Sequence, residues 1–454
     1  MLATETVENA RMRARARSAA RSHAWCWAKA MGAWLLARAS GTERENLEAA
    51  LAACQQTRSP WTRRFFAPQL QPYFQGRKRG FAHAHQVGWS HYDRTLGQLA
   101  NGSELPDTLV LKAPAAGGEK GVLLCASEVN WMRLFAHRNV RKVLDTYLVV
   151  GTTSCSPPDC VPIASYAGLA TDPLFVCVAN RQDITHLDGM HAVARPVALS
   201  AGDFLHGDDY TPRPHNERSI DLLVVADWTQ QSRHWLLFEA LHSLPRNLRV
   251  VLVGEDATQR SENVILEEAR AFGVRQDLEI HTGLSRQRIA SMQCDARVAA
   301  TFGHRPNDAV RVVEALFAGA PVAVMADAGP SVTRYINART GVLLRRRKLA
   351  RQLQHFIDAS GRFTPRQWAL HAISADRASQ RLNAILRAYS RAQGRPWTSP
   401  LASVCWRNAP AYLHASEALR LQQAVTSFQN EFGLHLSAAD HPQPQMLPLA
   451  GASA

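Results

Sequence analysis

The sequence predicts an α/β fold class, with two domains that each contain a parallel sheet. Two observations predict this class. Short apolar runs alternate with amphipathic segments over residues 106–200 and again, more regularly, over residues 218–390. A polar linker that contains proline, residues 207–219, separates the two stretches. Such alternation is typical of strands joined by crossover helices, and such linkers are typical of domain boundaries.

Four parts of the chain are predicted. They are a basic helical N-terminal extension (1–75), a first Rossmann-like domain (76–215), a second Rossmann-like domain (216–390) and a C-terminal segment (391–454). The tail from residue 438 onwards is predicted to be disordered, because it combines polar residues, prolines and small residues. A chain of 454 residues is long enough for each domain to bury a sizeable core.

The strands of both domains are predicted from their short apolar runs. In the first domain these are "TLVLKAP", "GVLLCAS", "TYLVVGTT", "LFVCVAN" and "AVARPVALS". In the second they are "IDLLVVADW", "LRVVLVGE", "LEIHTG", "ARVAATFG" and "PVAVMAD", with helices predicted between them. Ligands of open parallel sheets bind beyond the carboxyl ends of the strands. The residues that follow these runs are therefore the first place to look for a site.

Composition excludes a membrane-spanning protein and favours anionic partners. No run reaches the roughly 18 apolar residues of a membrane span, and a hydrophobic content of 46% is typical of a globular chain. The net charge of +14 suits nucleotide phosphates, an anionic membrane surface or nucleic acid, without choosing among them. Eight scattered cysteines without a C-x-x-C pair predict a reducing compartment, and hence a cytoplasmic protein.

The N-terminal stretch "RMRARARSAARSHAWCWAKAMGAWLLARASG" predicts an amphipathic helix. A lysine interrupts its apolar patch, which is rich in tryptophan and alanine, so the pattern differs from a signal peptide. Packing against the protein is the favoured interpretation. The alternative is peripheral contact with an anionic membrane, at the inner face of the plasma membrane.

The first candidate site is a helix predicted within "RPNDAVRVVEALFAGAPVAV", residues 305–324. Its apolar residues recur at helical spacing and form one face, and a glycine and a proline end the helix. Asn307, Arg311 and Glu314 fall together on the other face. This polar set predicts either a ligand site or a solvated helix face, and the position of the helix at the carboxyl edge of the sheet favours the ligand site.

The second candidate is Arg233, in "ADWTQQSRHWLLFEAL". Its position after the first strand of the second domain predicts that it begins a helix at the carboxyl edge of the sheet. A cation and free backbone N–H groups at such a place suit a diphosphate. The alternative is an arginine on a solvated helix start.

The third candidate is the loop "KAPAAGGEKG" between two predicted strands of the first domain. Gly117, Gly118 and Gly121 permit close backbone approach and Lys120 adds a positive charge, so the loop is a candidate phosphate or acceptor loop. It is neither a G-x-G-x-x-G motif nor a P-loop, and a flexible turn is the alternative.

Taken together, these segments resemble glycosyltransferase family 4, whose members have the GT-B fold. "IDLLVVADWTQQSRHWLLFEAL" is similar to the opening strand, phosphate-binding turn and helix of that family, and "RPNDAVRVVEALFAGAPVAVMAD" is similar to its E-x7-E segment. "LVLKAPAAGGEKGVLLCASEVNW" and "FVCVAN" resemble the acceptor half. The resemblance is most specific over residues 218–390. It implies two Rossmann-like domains facing a central cleft, with the acceptor on the first domain and the donor on the second.

The resemblance also assigns roles to single residues. Glu314 falls on the second glutamate of the motif, which implies that it accepts hydrogen bonds from ribose hydroxyls. Arg233 falls on the turn that binds the diphosphate, which implies that it offsets the charge developing on the leaving group. Pro306 stands where the first glutamate is expected, and Ser232 stands where lysine is common.

Because of these two departures, the donor is expected to be held in another way or not to be turned over. Arg311, Asn307 and His304 are the predicted alternative donor contacts, beside Ser232. The predicted catalytic residues stay unassigned.

The predicted function is metal-independent transfer of a sugar, with retention of configuration, from a nucleoside-diphosphate sugar to a glycan or lipid-linked acceptor. No cofactor is expected, and no D-x-D or H-E-x-x-H motif indicates a metal site. The first alternative is a catalytically silent protein of the same fold that binds a nucleotide sugar or a partner enzyme. The second alternative is a basic nucleic-acid-binding protein. A nucleic-acid partner is not expected, because the two stretches that combine aromatic and basic residues, "WTRRFF" and "GRKRGFAHAH", lie outside the α/β pattern.

Overall fold

The computed structural model describes most of the chain from residue 103 to residue 437 and parts of the N-terminal extension. The described residues are 27–39, 43–56, 65–66, 68–70, 103–153, 158, 160–167, 169, 172–190, 193–256, 260–303, 308–407 and 409–437. The predicted disordered tail lies outside them. Among these residues, no helix has both the length and the apolar composition needed to cross a bilayer.

Two N-terminal helices, α1 (27–39) and α2 (Glu43–Gln56), pack against the first domain. Trp34, Leu47 and Leu51 are buried in the same hydrophobic cluster as Val149 of the first sheet. For the described part of the extension, packing against the protein is therefore what the structure shows.

The first domain is built on a five-stranded sheet in the order β2-β3-β4-β5-β6. Its elements are β1 (Glu104–Pro106), β2 (Thr108–Lys112), β3 (Gly121–Ala126), α3 (Glu128–Ala136), α4 (Val140–Thr146), β4 (Tyr147–Thr152), α5 (Cys160–Tyr166), β5 (Leu174–Cys177), α6 (Arg181–Asp188) and β6 (Ala194–Val197). Strands β3 to β6 are parallel, whereas β2 is antiparallel to β3. This edge differs from the predicted parallel sheet, because the connection 113–120 is too short for a crossover helix.

The second domain has a six-stranded, wholly parallel sheet. Its elements are β7 (Ile220–Val225), α7 (His234–Leu241), β8 (Arg249–Gly254), α8 (Glu262–Ala271), β9 (Asp277–Thr282), α9 (Arg286–Asp295), β10 (Ala296–Thr301), α10 (Asp308–Phe317), β11 (Val322–Met325), α11 (Pro330–Thr333), β12 (Gly341–Leu344) and α12 (Leu349–Asp358). The strand order is β12-β11-β10-β7-β8-β9. The winding direction therefore reverses between β7 and β10.

The chain then returns to the first domain. The returning elements are α13 (Pro365–Ala372), α14 (Ala375–Ala392), β13 (Val404–Arg407), β14 (Ala409–Tyr412), α15 (Ala415–Phe432) and β15 (His435–Ser437). β13 and β14 form a hairpin, and β15 pairs with β1. The hydroxyl of Tyr412 donates to the carbonyl of Val110 in β2 at 2.8 Å, which fixes the hairpin to the first sheet.

This return covers a face that the first sheet cannot cover by itself. Its strands β3 to β6 follow chain order, and right-handed crossovers in one direction place α3 to α6 on one face. On the other face, Leu124 and Phe175 form a cluster with Leu382, Leu386 and Tyr389 of α14. Helix α14 thus contributes to the core of the first domain, although the predicted boundary at residue 390 assigned it to the second.

The carboxyl edges of the two sheets face each other. Asp203 follows β6 and Arg334 follows α11, and the two side chains form an ion pair between the domains. The hydroxyl oxygens of Ser200 and Tyr335 are 3.0 Å apart at the same contact. The predicted α/β architecture, two Rossmann-like domains that face each other across a cleft, is confirmed.

Candidate functional site

The switch point of the second sheet is where this fold offers a crevice for a ligand. In open α/β sheets the crevice lies outside the carboxyl ends of the strands, where the winding direction reverses. Here that place lies between β7 and β10. Arg233, Phe302 and Asp327 follow β7, β10 and β11 in the chain, and they meet at this edge through hydrogen bonds.

Arg233 is held firmly by the protein at this edge. It stands at the N-cap of α7 in a left-handed conformation, with φ of 54°. Its Nη1 and Nη2 donate to the two carboxylate oxygens of Asp327 at 2.8 and 2.9 Å, and its Nε donates to the carbonyl of Phe302. The side chain of Arg233 is 14% exposed and that of Asp327 is 65% exposed. The cation is therefore the fixed member of the pair and the carboxylate the solvent-facing one.

Ser232 stabilises the turn that carries Arg233. It is buried, and its hydroxyl donates to the carbonyl of Asp227 at 2.7 Å and lies 3.0 Å from the hydroxyl of Thr229. These contacts close the turn between β7 and α7. Ser232 thus positions its neighbour, and its hydroxyl is already used within the turn.

Glu314 is buried in α10, with 2% of its surface exposed. Its Oε2 accepts hydrogen bonds from Nη1 of Arg311 at 2.9 Å and from Nε2 of Gln293 at 3.3 Å. The negative charge of Glu314 is the main reason why the pKa of Arg311 is raised, and the charge of Asp227 contributes. A solvated helix face, one of the two alternatives for this position, is therefore wrong for Glu314.

Tyr210 of the interdomain linker lies near this carboxylate, and Asp209 pairs with a residue of α9. Nη2 of Arg286, at the start of α9, donates to Asp209 at 2.6 Å. The ring of Tyr210 stacks on Phe317 of α10, and burial, together with the nearby charge of Glu314, raises the pKa of its hydroxyl. The site region thus includes the linker, α9 and α10.

Three positions singled out at the start of the first candidate helix lie outside the described residues. They are His304, Pro306 and Asn307. The description of α10 begins at Asp308, whose carboxylate lies against Gly303, since a Cβ atom added to that glycine would be 2.3 Å from Oδ2. The donor contacts proposed for His304 and Asn307 stay predictions.

The glycine loop lies away from the switch point. It joins β2 to β3 and therefore sits at the amino ends of the parallel strands, not at the edge that faces the cleft. Gly117 and Gly118 have positive φ angles of 75° and 80°, as a tight turn requires. The structure does not bring this loop together with Arg233.

The charge of the glycine loop is also already balanced. Nζ of Lys120 is 2.7 Å from a carboxylate oxygen of Asp172 and donates to the carbonyl of Leu144 at 2.6 Å. A Cβ atom on Gly121 would be 2.4 Å from the ring of Tyr147, so packing accounts for this glycine. Both residues are explained by the structure of the first domain.

Two residues at the site were missed by the sequence analysis. Asp327 is the last residue of the run "PVAVMAD", so its place at the end of a predicted strand was a usable signal. Gln293 carried no such signal, because its contact with Glu314 joins two different helices and spans 21 positions of the chain. Among the described residues, no group of three or more His, Cys, Asp and Glu side chains could hold a metal ion. Metal independence stays a prediction.

No protein-family model matches the chain, and no curated protein matches it in sequence. Solved structures are similar in fold. One is sucrose-phosphate synthase from Thermosynechococcus elongatus, with a TM-score of 0.46 and 15% sequence identity over 60% of this chain and 74% of that chain. Another is HepE from Anabaena in complex with UDP and glucose, with a TM-score of 0.46 and 12% sequence identity over 58% of this chain and 77% of that chain. A third is the pneumococcal O-GlcNAc transferase GtfA in complex with UDP and GlcNAc, with a TM-score of 0.42 and 12% sequence identity over 56% of this chain and 54% of that chain.

The chain spans about half the length of TarM and of GtfA, 54% in each case. Identities of this size describe the fold alone. The resemblance to glycosyltransferase family 4 and the roles of the site residues therefore rest on the residues themselves.

Proposed function

We propose that this chain binds a nucleoside-diphosphate sugar at the switch point and transfers the sugar, with retention, to a glycan or lipid-linked acceptor. One observation carries the proposal: Arg233 holds a guanidinium at the start of α7, between the carboxyl ends of β7 and β10. A helix start and a guanidinium are the two groups that suit a diphosphate. A non-glycine residue in the left-handed conformation costs about 1–2 kcal/mol, and such strain is concentrated at functional sites.

The ion pair with Asp327 fits this proposal. A mostly buried guanidinium needs a counter-charge, and Asp327 supplies one from a position that is 65% exposed. An arriving diphosphate would take the place of that carboxylate, while the carbonyl of Phe302 keeps the arginine in position. The fixed cation would then offset the charge that builds on the departing nucleoside diphosphate.

A second candidate function is donor binding without turnover. The contact of Glu314 with Arg311 and Gln293 favours it, because a carboxylate oxygen that serves two internal donors has less capacity for ribose hydroxyls. The serine at position 232, where lysine is common, and the proline at position 306, where a glutamate is expected, also favour binding without turnover. In this variant of the proposal, Arg233 still binds the diphosphate.

We place the protein in the cytoplasm, with the acceptor at a membrane face and no required metal or cofactor. The basic composition of the chain supports an anionic donor and an anionic membrane surface.

Calorimetric titration with UDP and GDP tests the donor site. Arg233→Gln is expected to weaken the tighter of the two at least tenfold, since a hydrogen bond to a charged group contributes about 1.5–3 kcal/mol. Arg213→Gln is the matched control, because Arg213 also pairs with an aspartate, Asp295, but at the amino edge of the same sheet. Equal nucleotide affinity in wild type and Arg233→Gln would show that the diphosphate does not bind at this site. Release of UDP from a UDP-sugar, followed by NMR, then separates turnover from binding alone.

A further inference from the structure

Exposed cations are clustered in the segment that joins β12 to α12. The side chains of Arg345, Arg346, Arg347, Lys348 and Arg351 are all exposed. The sequence 340–357 contains no aspartate or glutamate. Within the described part of the chain, none of these five cations forms an ion pair with a carboxylate. Five positive charges thus face solvent together.

The protein holds this segment in a defined conformation. Nε2 of Gln352 donates to the carbonyls of Arg345 and Arg347 at 2.9 and 2.7 Å, and its Oε1 accepts from the backbone N–H of Arg345 at 3.1 Å. The guanidinium of Arg346 lies 5.1 Å from the ring centre of Trp235. The backbone that carries the cations is therefore fixed, so the entropic cost of presenting them to a partner is low.

An apolar side chain lies next to the cations. Leu343, in β12, is 45% exposed, two residues before Arg345. Cations beside an exposed aliphatic residue suit the interface of an anionic bilayer. A single-stranded nucleic acid would instead need exposed aromatic rings for stacking, and the tryptophan of this region, Trp235, is only 8% exposed. Five charges also exceed what one diphosphate can neutralise.

We propose that Arg345, Arg346, Arg347, Lys348 and Arg351 form a docking surface for a membrane rich in anionic phospholipid. The inference does not depend on sugar transfer. It has one consequence that rests on the proposed function. Because β12 pairs with β11, and the N–H of Ala326 donates to the carbonyl of Leu344 at 2.8 Å, the docking surface lies on the same sheet edge as Asp327. Docking would therefore bring the opening of the site close to a lipid-linked acceptor.

Sedimentation of the full chain with vesicles tests the docking surface. The vesicles are phosphatidylcholine alone or phosphatidylcholine mixed with phosphatidylglycerol. The test variant combines Arg345→Gln, Arg347→Gln and Lys348→Gln. Its matched control combines Arg381→Gln, Arg387→Gln and Arg391→Gln, which removes three charges from α14 that are also exposed. A third variant, Arg345→Lys with Arg347→Lys, keeps the charge.

The wild type, the α14 control and the lysine variant are expected to bind the anionic vesicles and not the neutral ones. The test variant is expected to lose roughly a hundredfold in partition coefficient, since each cation near an anionic surface is worth about fivefold. Two outcomes would overturn the inference: absence of wild-type binding to anionic vesicles, or an equal loss in the α14 control. Binding to a labelled RNA that only the test variant loses, with vesicle binding intact, would assign the surface to nucleic acid instead.

Discussion

The guanidinium of Arg233 and the carboxylate of Asp327 form a two-point ion pair at the carboxyl edge of the second sheet, with N···O distances of 2.8 and 2.9 Å. Its two partners differ in how they are held. Arg233 is also bonded to the carbonyl of Phe302, whereas Asp327 is mostly exposed. In the proposed donor site, this carboxylate takes the place of the diphosphate when no donor is bound.

Replacement of Asp327 by asparagine is expected to tighten nucleotide binding. The change removes the competing negative charge but keeps the size of the side chain. Because the carboxylate is 65% exposed, solvent screens the pair, and a gain of about two- to fivefold in affinity for UDP or GDP is expected. Calorimetric titration measures it. Weaker binding in Asp327→Asn would mean that the carboxylate orients Arg233 for the ligand and does not compete with it.

Replacement of Ser232 by lysine is expected to destabilise the protein and not to restore a stronger site. Family resemblance alone would suggest that a lysine there adds a cation for the diphosphate. The structure shows, however, that Ser232 is buried and that its hydroxyl serves Asp227 and Thr229. Loss of these contacts is expected to lower the free energy of unfolding by about 1–3 kcal/mol.

Urea denaturation of Ser232→Lys and Ser232→Ala measures this effect. Similar destabilisation in both variants would show that the lost hydroxyl is the cause. A stable Ser232→Lys variant with tighter UDP binding would contradict this structural role of Ser232. It would favour a diphosphate site that is weakened by the absence of a lysine at this position.

Replacement of Glu314 by alanine is expected to affect stability as well as nucleotide binding. The guanidinium of Arg311, which is partly exposed, and the buried amide of Gln293 both lose their acceptor, which is expected to cost roughly 1–3 kcal/mol. Glu417→Ala is the matched control, because Glu417 pairs with Arg420 at the same three-residue spacing but on the exposed surface of α15. Its cost is expected to stay below about 0.5 kcal/mol.

Thermal unfolding and UDP titration of the same samples separate the two roles of Glu314. A folded Glu314→Ala variant with unchanged stability and unchanged UDP affinity would show that Glu314 neither stabilises the protein nor contributes to nucleotide binding. Loss of stability with unchanged affinity would leave Glu314 a structural residue and favour the binding mode without a ribose contact.

Stability is expected to fall as the pH is lowered from about 6.5 towards about 3 because of His234. Burial, with the charge of Arg260, lowers the pKa of this histidine to about 3, so the folded protein keeps it neutral. The unfolded chain takes up a proton below about pH 6.5. The unfolded state then binds more protons, and the free energy of unfolding decreases by up to about 1.4 kcal/mol per pH unit as the pH falls. Burial lowers the pKa of His137 and His215 as well, which acts in the same direction.

Denaturant titrations over this pH range compare His234→Leu with His414→Leu, whose side chain is half-exposed. The first variant is expected to flatten the pH dependence and the second to leave it unchanged. Equal slopes in wild type and His234→Leu would show that His234 is protonated in the folded protein.

Local patterns predicted the sheets well because strands and helices of this fold alternate with a regular period. The helix α10 and the strand after it follow directly from apolar spacing and from the glycine and proline that separate them. The same spacing placed Arg311 and Glu314 on a polar face, but it could not show that α9 covers this face through Gln293. A three-residue spacing is equally suited to an internal ion pair, and only the tertiary contact decides between the two.

Long-range packing explains the other differences. The amphipathic pattern of α14 predicts a helix with one buried face, but it contains no information on which domain the face covers. The role of the glycine loop could not be predicted for a related reason. Lys120 forms an ion pair with Asp172, which is distant in the chain, and the arrangement of the first sheet places the loop at the amino ends of the parallel strands.

A crystal structure of the protein with UDP is the most direct test of the proposed donor site. We expect the diphosphate to contact the guanidinium of Arg233 at the start of α7 and the carboxylate of Asp327 to move away from it. A structure in which UDP is bound elsewhere, while the Arg233–Asp327 ion pair is retained, would contradict the account.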